Sequence, residues 1–218
     1  MVLHKLPMVS EILVVCAHPD DESFGLGAVI GVFVEQGTRV RLVSLTHGEA
    51  STLGWNQFQL GEIRTKELEA AAKVLGVRDV KLYSYADNAL GDLDILELAE
   101  VIHIEIGNAT AMLVFDIGGI TGHLDHCRAT EAALQVGLRR EIPVLAWTIP
   151  SAVADQLNAE FETSFVGRSK TRVDFEIDVD RSLQEKAIRC HLSQSRDNPV
   201  LWRRLQLLGN KEYLCWLT

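Results

Sequence analysis

Ile12-Leu13-Val14-Val15-Cys16-Ala17-His18-Pro19-Asp20-Asp21-Glu22 is an apolar, β-branched run that stops on one histidine, one proline and three acids. A short continuous apolar run suits a parallel strand buried on both faces. Pro19 has no amide to donate, so the strand ends at Ala17 or His18. The acids are thereby set at the carboxyl end of a strand, where open α/β sheets bind ligands. Three adjacent carboxylates repel one another unless a cation or several donors neutralise them. A divalent metal would do so, and imidazole with carboxylate is a suitable donor set. A solvated acidic turn is the competing reading, and the stretch alone leaves both open.

Working outward, residues 25–37 read as a helix stopped by Gly37, and Arg39 to Thr46 as the next strand, which makes a right-handed βαβ unit. His47-Gly48-Glu49 follows on the same sheet edge, and Ser51 to Gln59 reads as a loop over the site. Glu62 to Leu75 has helical periodicity with Gly76 as its stop. Val80 to Tyr83 is a third strand, Asp87 to Asp92 a turn, and Leu93 to Ile106 a helix. Met112 to Asp116 is a fourth strand that runs into the glycine-rich loop 118–122 and then His123-Leu124-Asp125-His126. Arg128 to Leu138 reads as helix and Pro143 to Thr148 as a fifth strand. Ser151 to Lys170 reads as polar and irregular. Arg172 to Val179 alternates at period two, as an antiparallel, half-exposed strand does. Helices follow over 181–195 and 199–208, and Glu212 to Leu217 closes the chain as strand or tail.

The expected fold class is α/β: a Rossmann-like three-layer α/β/α arrangement with a mainly parallel sheet and a C-terminal antiparallel addition. The 218 residues suffice for one domain, 1–218, with no repeat or linker. A net charge of -9 speaks against nucleic acid or an anionic membrane as partner. No run approaches the ~18–20 apolar residues of a membrane span. The residues before Ile12 do not read as a signal peptide, so a cytoplasmic location is expected. Cys16, Cys127, Cys190 and Cys215 are far apart and read as reduced thiols.

Two clusters now stand together, His18-x-Asp20-Asp21 after the first strand and His123-x-Asp125-His126 after the fourth, both on one sheet edge. Chance solvation explains one such cluster more easily than two. With Thr46-x-Gly48-Glu49, Arg64-x-x-Glu67, Leu75-Gly76, Asp87 and the late Cys190-His191-x-Ser193-Gln194, this pattern resembles the LmbE/PIG-L family of zinc-dependent N-acetylglucosaminyl deacetylases over residues 11 to 196. The proline common in the second motif is Leu124 here.

The resemblance implies one zinc per chain on His18, Asp21 and His126, with Asp20 as general base toward the attacking water. It implies His123 as the group that stabilises the oxyanion or protonates the leaving amine, with Asp125 holding its ring. Arg64 and Asp87 match positions that contact sugar hydroxyls, although Arg64 could instead pair with Glu67 and Asp87 could cap its turn. The implied partner is a small N-acetylglucosaminyl conjugate, and the resemblance allows a homo-oligomer. Two other readings compete. A nucleotide-binding Rossmann-like module finds only Gly25-x-Gly27 of the phosphate fingerprint, preceded by acids. A non-catalytic metal-binding protein would not need Asp20 and His123.

Overall fold

The structure is a computed structural model that describes residues 2–53 and 59–218. Strand β1 (Glu11–Cys16) has every residue buried, because parallel neighbours flank it on both edges and helices cover both faces. On one side lie β2 (Arg39–Thr46) and β3 (Asp79–Tyr85), on the other β4 (Ala111–Phe115) and β5 (Val144–Thr148), all parallel. Two strands complete the sheet in antiparallel sense, β7 (Lys211–Trp216) on β5 and β6 (Phe175–Asp178) outside it, giving the order β3-β2-β1-β4-β5-β7-β6. The expected mainly parallel α/β sheet with a C-terminal antiparallel addition is what the chain forms.

Helices α2 (Gly27–Glu35) and α3 (Leu60–Leu75) cover one face. Their buried side chains, Val29, Ile30, Phe33, Leu68 and Leu75, join one apolar cluster with Ile12, Val14 and Leu42 of the sheet. Helices α4 (Ile95–Glu105) and α6 (Leu124–Arg140) cover the other, through Leu98, Ile102, Ala129 and Ala133 against Leu13, Val15 and Val114. Alternate residues of β1 thus feed opposite cores, the period-two consequence of a pleated strand. Chain direction across the sheet reverses between β1 and β4, and that switch point is where two successive loops part and leave a crevice.

Several expectations are corrected. Residues 151–161 are not irregular but form α7 (Ser151–Phe161), whose Val153, Leu157 and Phe161 pack inward at helical spacing. It begins after Pro150 and ends on Glu162 in the left-handed region, so the glycine that usually marks such a stop is missing. The helix expected over 25–37 is preceded by a separate turn, α1 (Asp21–Phe24). The helix expected over 181–195 is two, α8 (Ser182–Ile188) and α9 (Leu192–Ser195), broken where His191 takes φ -88°, ψ 60°. Helix α10 (Pro199–Leu208) is as read, with Pro199 at its start. Of the expected loop 51–59, residues 54–58 lie outside the described residues. No helix among the described residues is long and apolar enough to cross a membrane.

Candidate metal centre and reaction pocket

The β1 loop and the β4 loop meet at the switch point, and they bring His18, Asp21 and His126 together. His18 Nδ1 lies 3.1 Å from His126 Nε2, and Asp21 Oδ1 lies 3.1 Å from the same nitrogen. His18 Nδ1 and Asp21 Oδ2 are 3.9 Å apart. Tetrahedral donors about 2.1 Å from a small divalent ion stand about 3.4 Å from one another; the two edges at His126 Nε2 are close to that, and the ligand atoms of all three residues lie within 4.8 Å of one another.

Each donor is oriented from behind. His126 Nδ1 faces the Gly119 carbonyl at 3.0 Å, which leaves Nε2 with its lone pair toward the other two. Asp21 Oδ2 accepts the amides of Ala17 and His18, both at 3.0 Å, so its other oxygen is turned inward. His18 Nε2 meets two carboxylates, Asp87 Oδ1 at 2.9 Å and Asp125 Oδ2 at 3.2 Å. The neighbourhood therefore collects four carboxylates, Asp20, Asp21, Asp87 and Asp125, of which Asp20 pairs with the guanidinium of Arg64. Burial works against a charged His18 ring, yet Asp125, Asp87 and Asp21 outweigh it and push the imidazole up to about 10. Burial would raise Asp21, but the His126 and His18 rings overcome it and hold the carboxyl well below the usual range. Such a site lacks positive charge and offers converging donors; the residues fit a divalent cation.

Asp20 sits beside this triangle in a strained backbone, φ 120°, ψ -25°. Arg64 is 3% exposed and holds it there: Nη2 donates to Asp20 Oδ2 at 2.8 Å and to the Pro19 carbonyl, while Nη1 donates to the Gly48 carbonyl at 2.7 Å. Gly48 has φ +65°, and a Cβ there would fall 2.3 Å from Arg64 Nη1, so only glycine admits the arginine. Burial pushes the Asp20 carboxyl up to about 6, with Arg64 pulling against it. That range suits a general base working near neutrality.

His123 caps the start of α6, and its Nδ1 accepts the Asp125 amide at 3.2 Å. That bond selects the tautomer with the proton on Nε2, and burial with the His18 and His126 rings lowers the pKa and keeps the ring neutral. His123 lines the pocket, so its Nε2–H is a donor available there.

One expected role therefore changes, and two further residues acquire definite protein partners. Asp125 does not hold the His123 ring: its carboxylate faces His18 and accepts the amides of Asn88 and Leu90 at 2.8 and 3.1 Å. Arg64 pairs with Asp20 and not with Glu67, whose carboxylate takes Ser193 instead. Asp87 lines the pocket with its oxygens on His18 and on the Ala50 amide at 2.8 Å, and each keeps a further lone pair.

Reading residues one by one passes over Glu22 and His191. Both are fully buried beneath Asp20; Glu22 Oε1 lies 2.7 Å from His191 Nε2, and Oε2 accepts the Asp20 amide at 2.9 Å. The signal is present in the Cys190-His191-x-Ser193-Gln194 stretch, but nothing local says that it folds back across the sheet edge.

His18, Asp20, Asp21, Arg64, His123 and His126 line a cavity of about 440 Å³, walled also by Phe24, Phe115, Phe165 and Leu201. Residues 50–53 form one rim, tied down where Ser51 Oγ donates to Gln194 Oε1 at 2.7 Å.

The family model described as PIG-L, GlcNAc-PI de-N-acetylase, matches residues 13–136 of the chain. The chain belongs to the PIG-L family. Among curated relatives it is 28% identical over 231 residues to a 1D-myo-inositol 2-acetamido-2-deoxy-alpha-D-glucopyranoside deacetylase of Mycobacterium sp. (strain KMS), covering 86% of this chain and 75% of the relative. It is 29% identical over 212 residues to a probable N-acetyl-alpha-D-glucosaminyl L-malate deacetylase 2 of Bacillus anthracis, covering 94% and 91%. The fold matches the crystal structure of a deacetylase of the teicoplanin biosynthesis pathway with a TM-score of 0.70 at 20% identity, over 94% of this chain and 96% of that one. The PIG-L match ends inside α6, so it spans both clusters of the candidate metal centre and leaves α7 to β7 outside it.

Proposed function

We propose that residues 1–218 form one zinc-dependent N-deacetylase domain, which hydrolyses the acetamide of a small N-acetylglucosamine conjugate. The observation that carries this reading is the placing of Asp20 beside the His18–Asp21–His126 triangle, inside a pocket and with its backbone strained. A binding site alone gains nothing from a carboxylate held at such cost. The names of the relatives support the substrate class, and the converging donors support the metal.

His18, Asp21 and His126 would hold the zinc, which would supply Lewis acidity to the acetyl carbonyl and to a water near neutral pH. Asp20 takes the proton of the attacking water, its carboxylate aimed by Arg64. The His123 Nε2–H donates to the oxygen on which charge develops. The proton Asp20 has taken is then returned to the amine nitrogen as the carbon–nitrogen bond breaks, and the products are acetate and a glucosamine. Asp87 and Asp125 keep His18 in the orientation the metal needs.

The test is Asp20→Asn beside His126→Ala, followed by metal analysis and by free-amine release from N-acetylglucosaminyl conjugates. Asp20→Asn is expected to keep about one zinc per chain and lose at least a hundredfold in turnover. His126→Ala is expected to lose the metal. Undiminished turnover by the first variant, or full zinc content in the second, overturns the assignment.

A further inference from the structure

One cation in the pocket wall has too few partners for its charge. Arg204, on α10, is 6% exposed and lines the cavity beside Phe24, Phe115 and Leu201. Its Nη2 donates to the Phe24 carbonyl at 2.6 Å, whereas its Nε is buried without any partner. The guanidinium carbon stands 5.2 Å from the centroid of the Trp147 ring, which offsets part of the lost hydration. Among the described residues Arg204 makes no ion pair.

The carboxylates around it are already taken. Glu212 is engaged elsewhere: Oε1 accepts Arg181 Nη1, and Oε2 accepts Trp147 Nε1 at 2.6 Å. Asp20 is held by Arg64, and Asp21 by two amides and His126. Burial pulls Arg204 down to about 10, with Glu212, Asp20 and Asp21 pulling against it from a distance. An arginine kept only for packing normally has its donors met by carbonyls or carboxylates. A planar guanidinium short of acceptors, in an otherwise apolar wall, is suited to a carboxylate from outside.

We propose that Arg204 is the anion-binding residue of the reaction pocket, and that the conjugate processed there carries a carboxylate, on its acyl group or on its aglycone. This rests on the N-deacetylase reading above, which a carboxylate on the acyl group would widen from acetyl to a carboxylated acyl chain. A neutral N-acetyl conjugate leaves the Arg204 guanidinium without a counter-charge; an anionic one supplies it.

Three conjugates distinguish the sources: a neutral methyl N-acetylglucosaminide, N-acetylglucosaminyl malate with its carboxylates on the aglycone, and a methyl N-succinylglucosaminide with its carboxylate on the acyl chain. Zinc-loaded protein is expected to favour one anionic conjugate over the neutral one by roughly ten- to hundredfold in kcat/KM, mostly through KM. That preference is expected to collapse in Arg204→Met and to return in part in Arg204→Lys. A neutral conjugate used as well as both anionic ones, or a preference that survives in Arg204→Met, overturns the proposal. Calorimetric binding of succinate relative to acetate, on melting-verified wild-type and Arg204→Met protein, gives a readout independent of turnover, with Arg204→Gln replacing a variant that does not fold. Release of no amine from any conjugate sinks the deacylase reading, while loss of the succinate preference in the variant still assigns Arg204. An unchanged succinate-to-acetate ratio removes it.

Discussion

Asp125 Oδ2 lies 3.2 Å from His18 Nε2, across 107 positions of sequence, and not against the ring of its near neighbour His123. With Asp87 Oδ1 on the same nitrogen at 2.9 Å, two carboxylates stand behind one imidazole of the candidate metal site. Second carboxylates of this kind fix the ring and raise its basicity. Asp125→Asn and Asp87→Asn are therefore each expected to weaken zinc binding by roughly ten- to a hundredfold. Competition against a chelator of known affinity measures it, and wild-type affinity in both variants would show that the pair does not support His18.

Arg64 and Gly48 fit together as guanidinium and cradle. Gly48→Ala is expected to displace the arginine, because its Cβ would fall 2.3 Å from Nη1 and its φ of +65° is strained for alanine. Asp20 then loses its partner, so turnover should fall while zinc content stays. A cost of about 1–3 kcal/mol in chemical denaturation is expected. An unaltered rate in the folded variant would mean that Asp20 does not depend on Arg64.

His191 and Glu22 form a fully buried pair 2.7 Å apart. Removing one member leaves the other buried and unmatched, at a cost of about 3–5 kcal/mol. His191→Ala should accordingly lower the melting temperature more than Glu22→Gln combined with His191→Gln, which removes both charges together. Equal losses in the two proteins would count against the pairing.

At the end of β4, Asp116 takes Arg168 on both oxygens, each at 2.6 Å, and Thr148 Oγ1 at 2.8 Å. That clamp ties down the segment carrying Phe165, one wall of the pocket. Burial raises the Asp116 carboxyl, but Arg168 and Thr148 outweigh it and hold its pKa below the ordinary value. A depressed carboxylate stabilises the fold fully above its unfolded pKa of about 4, and the contribution is lost as pH falls through the folded value. Asp116→Asn is expected to be less stable than wild type at pH 7 and to show a shallower loss below about pH 4. Denaturant midpoints across pH 2 to pH 7, taken on metal-free protein, check this; parallel curves would remove the clamp from the acid limb.

Much of the architecture is legible because it is written in local patterns. The fully buried run of β1 and the period-two alternation near β6 identify parallel and antiparallel strands without knowledge of their partners. Pro19 fixes the end of β1, and the left-handed Gly76 fixes the end of α3. Helix α7 escapes such a reading although Val153, Leu157 and Phe161 keep helical spacing, because Glu162 ends it where a glycine would have signalled a stop.

Residue type and spacing also determined that His18, Asp20, Asp21, His123 and His126 would share one sheet edge, since each follows a strand of the same parallel sheet. Who touches whom was decided by the tertiary structure. The strand order, with β1 beside β4, sets His126 against His18; a turn from after β3 delivers Asp87; and α10, late in the chain, brings Arg204 into the wall. Hydrogen bonds act over about 3 Å, so partners more than a hundred residues apart are fixed only when the sheet closes. The sequence thus specified the donors through their chemistry, and packing assigned Arg64 to Asp20 and Asp125 to His18.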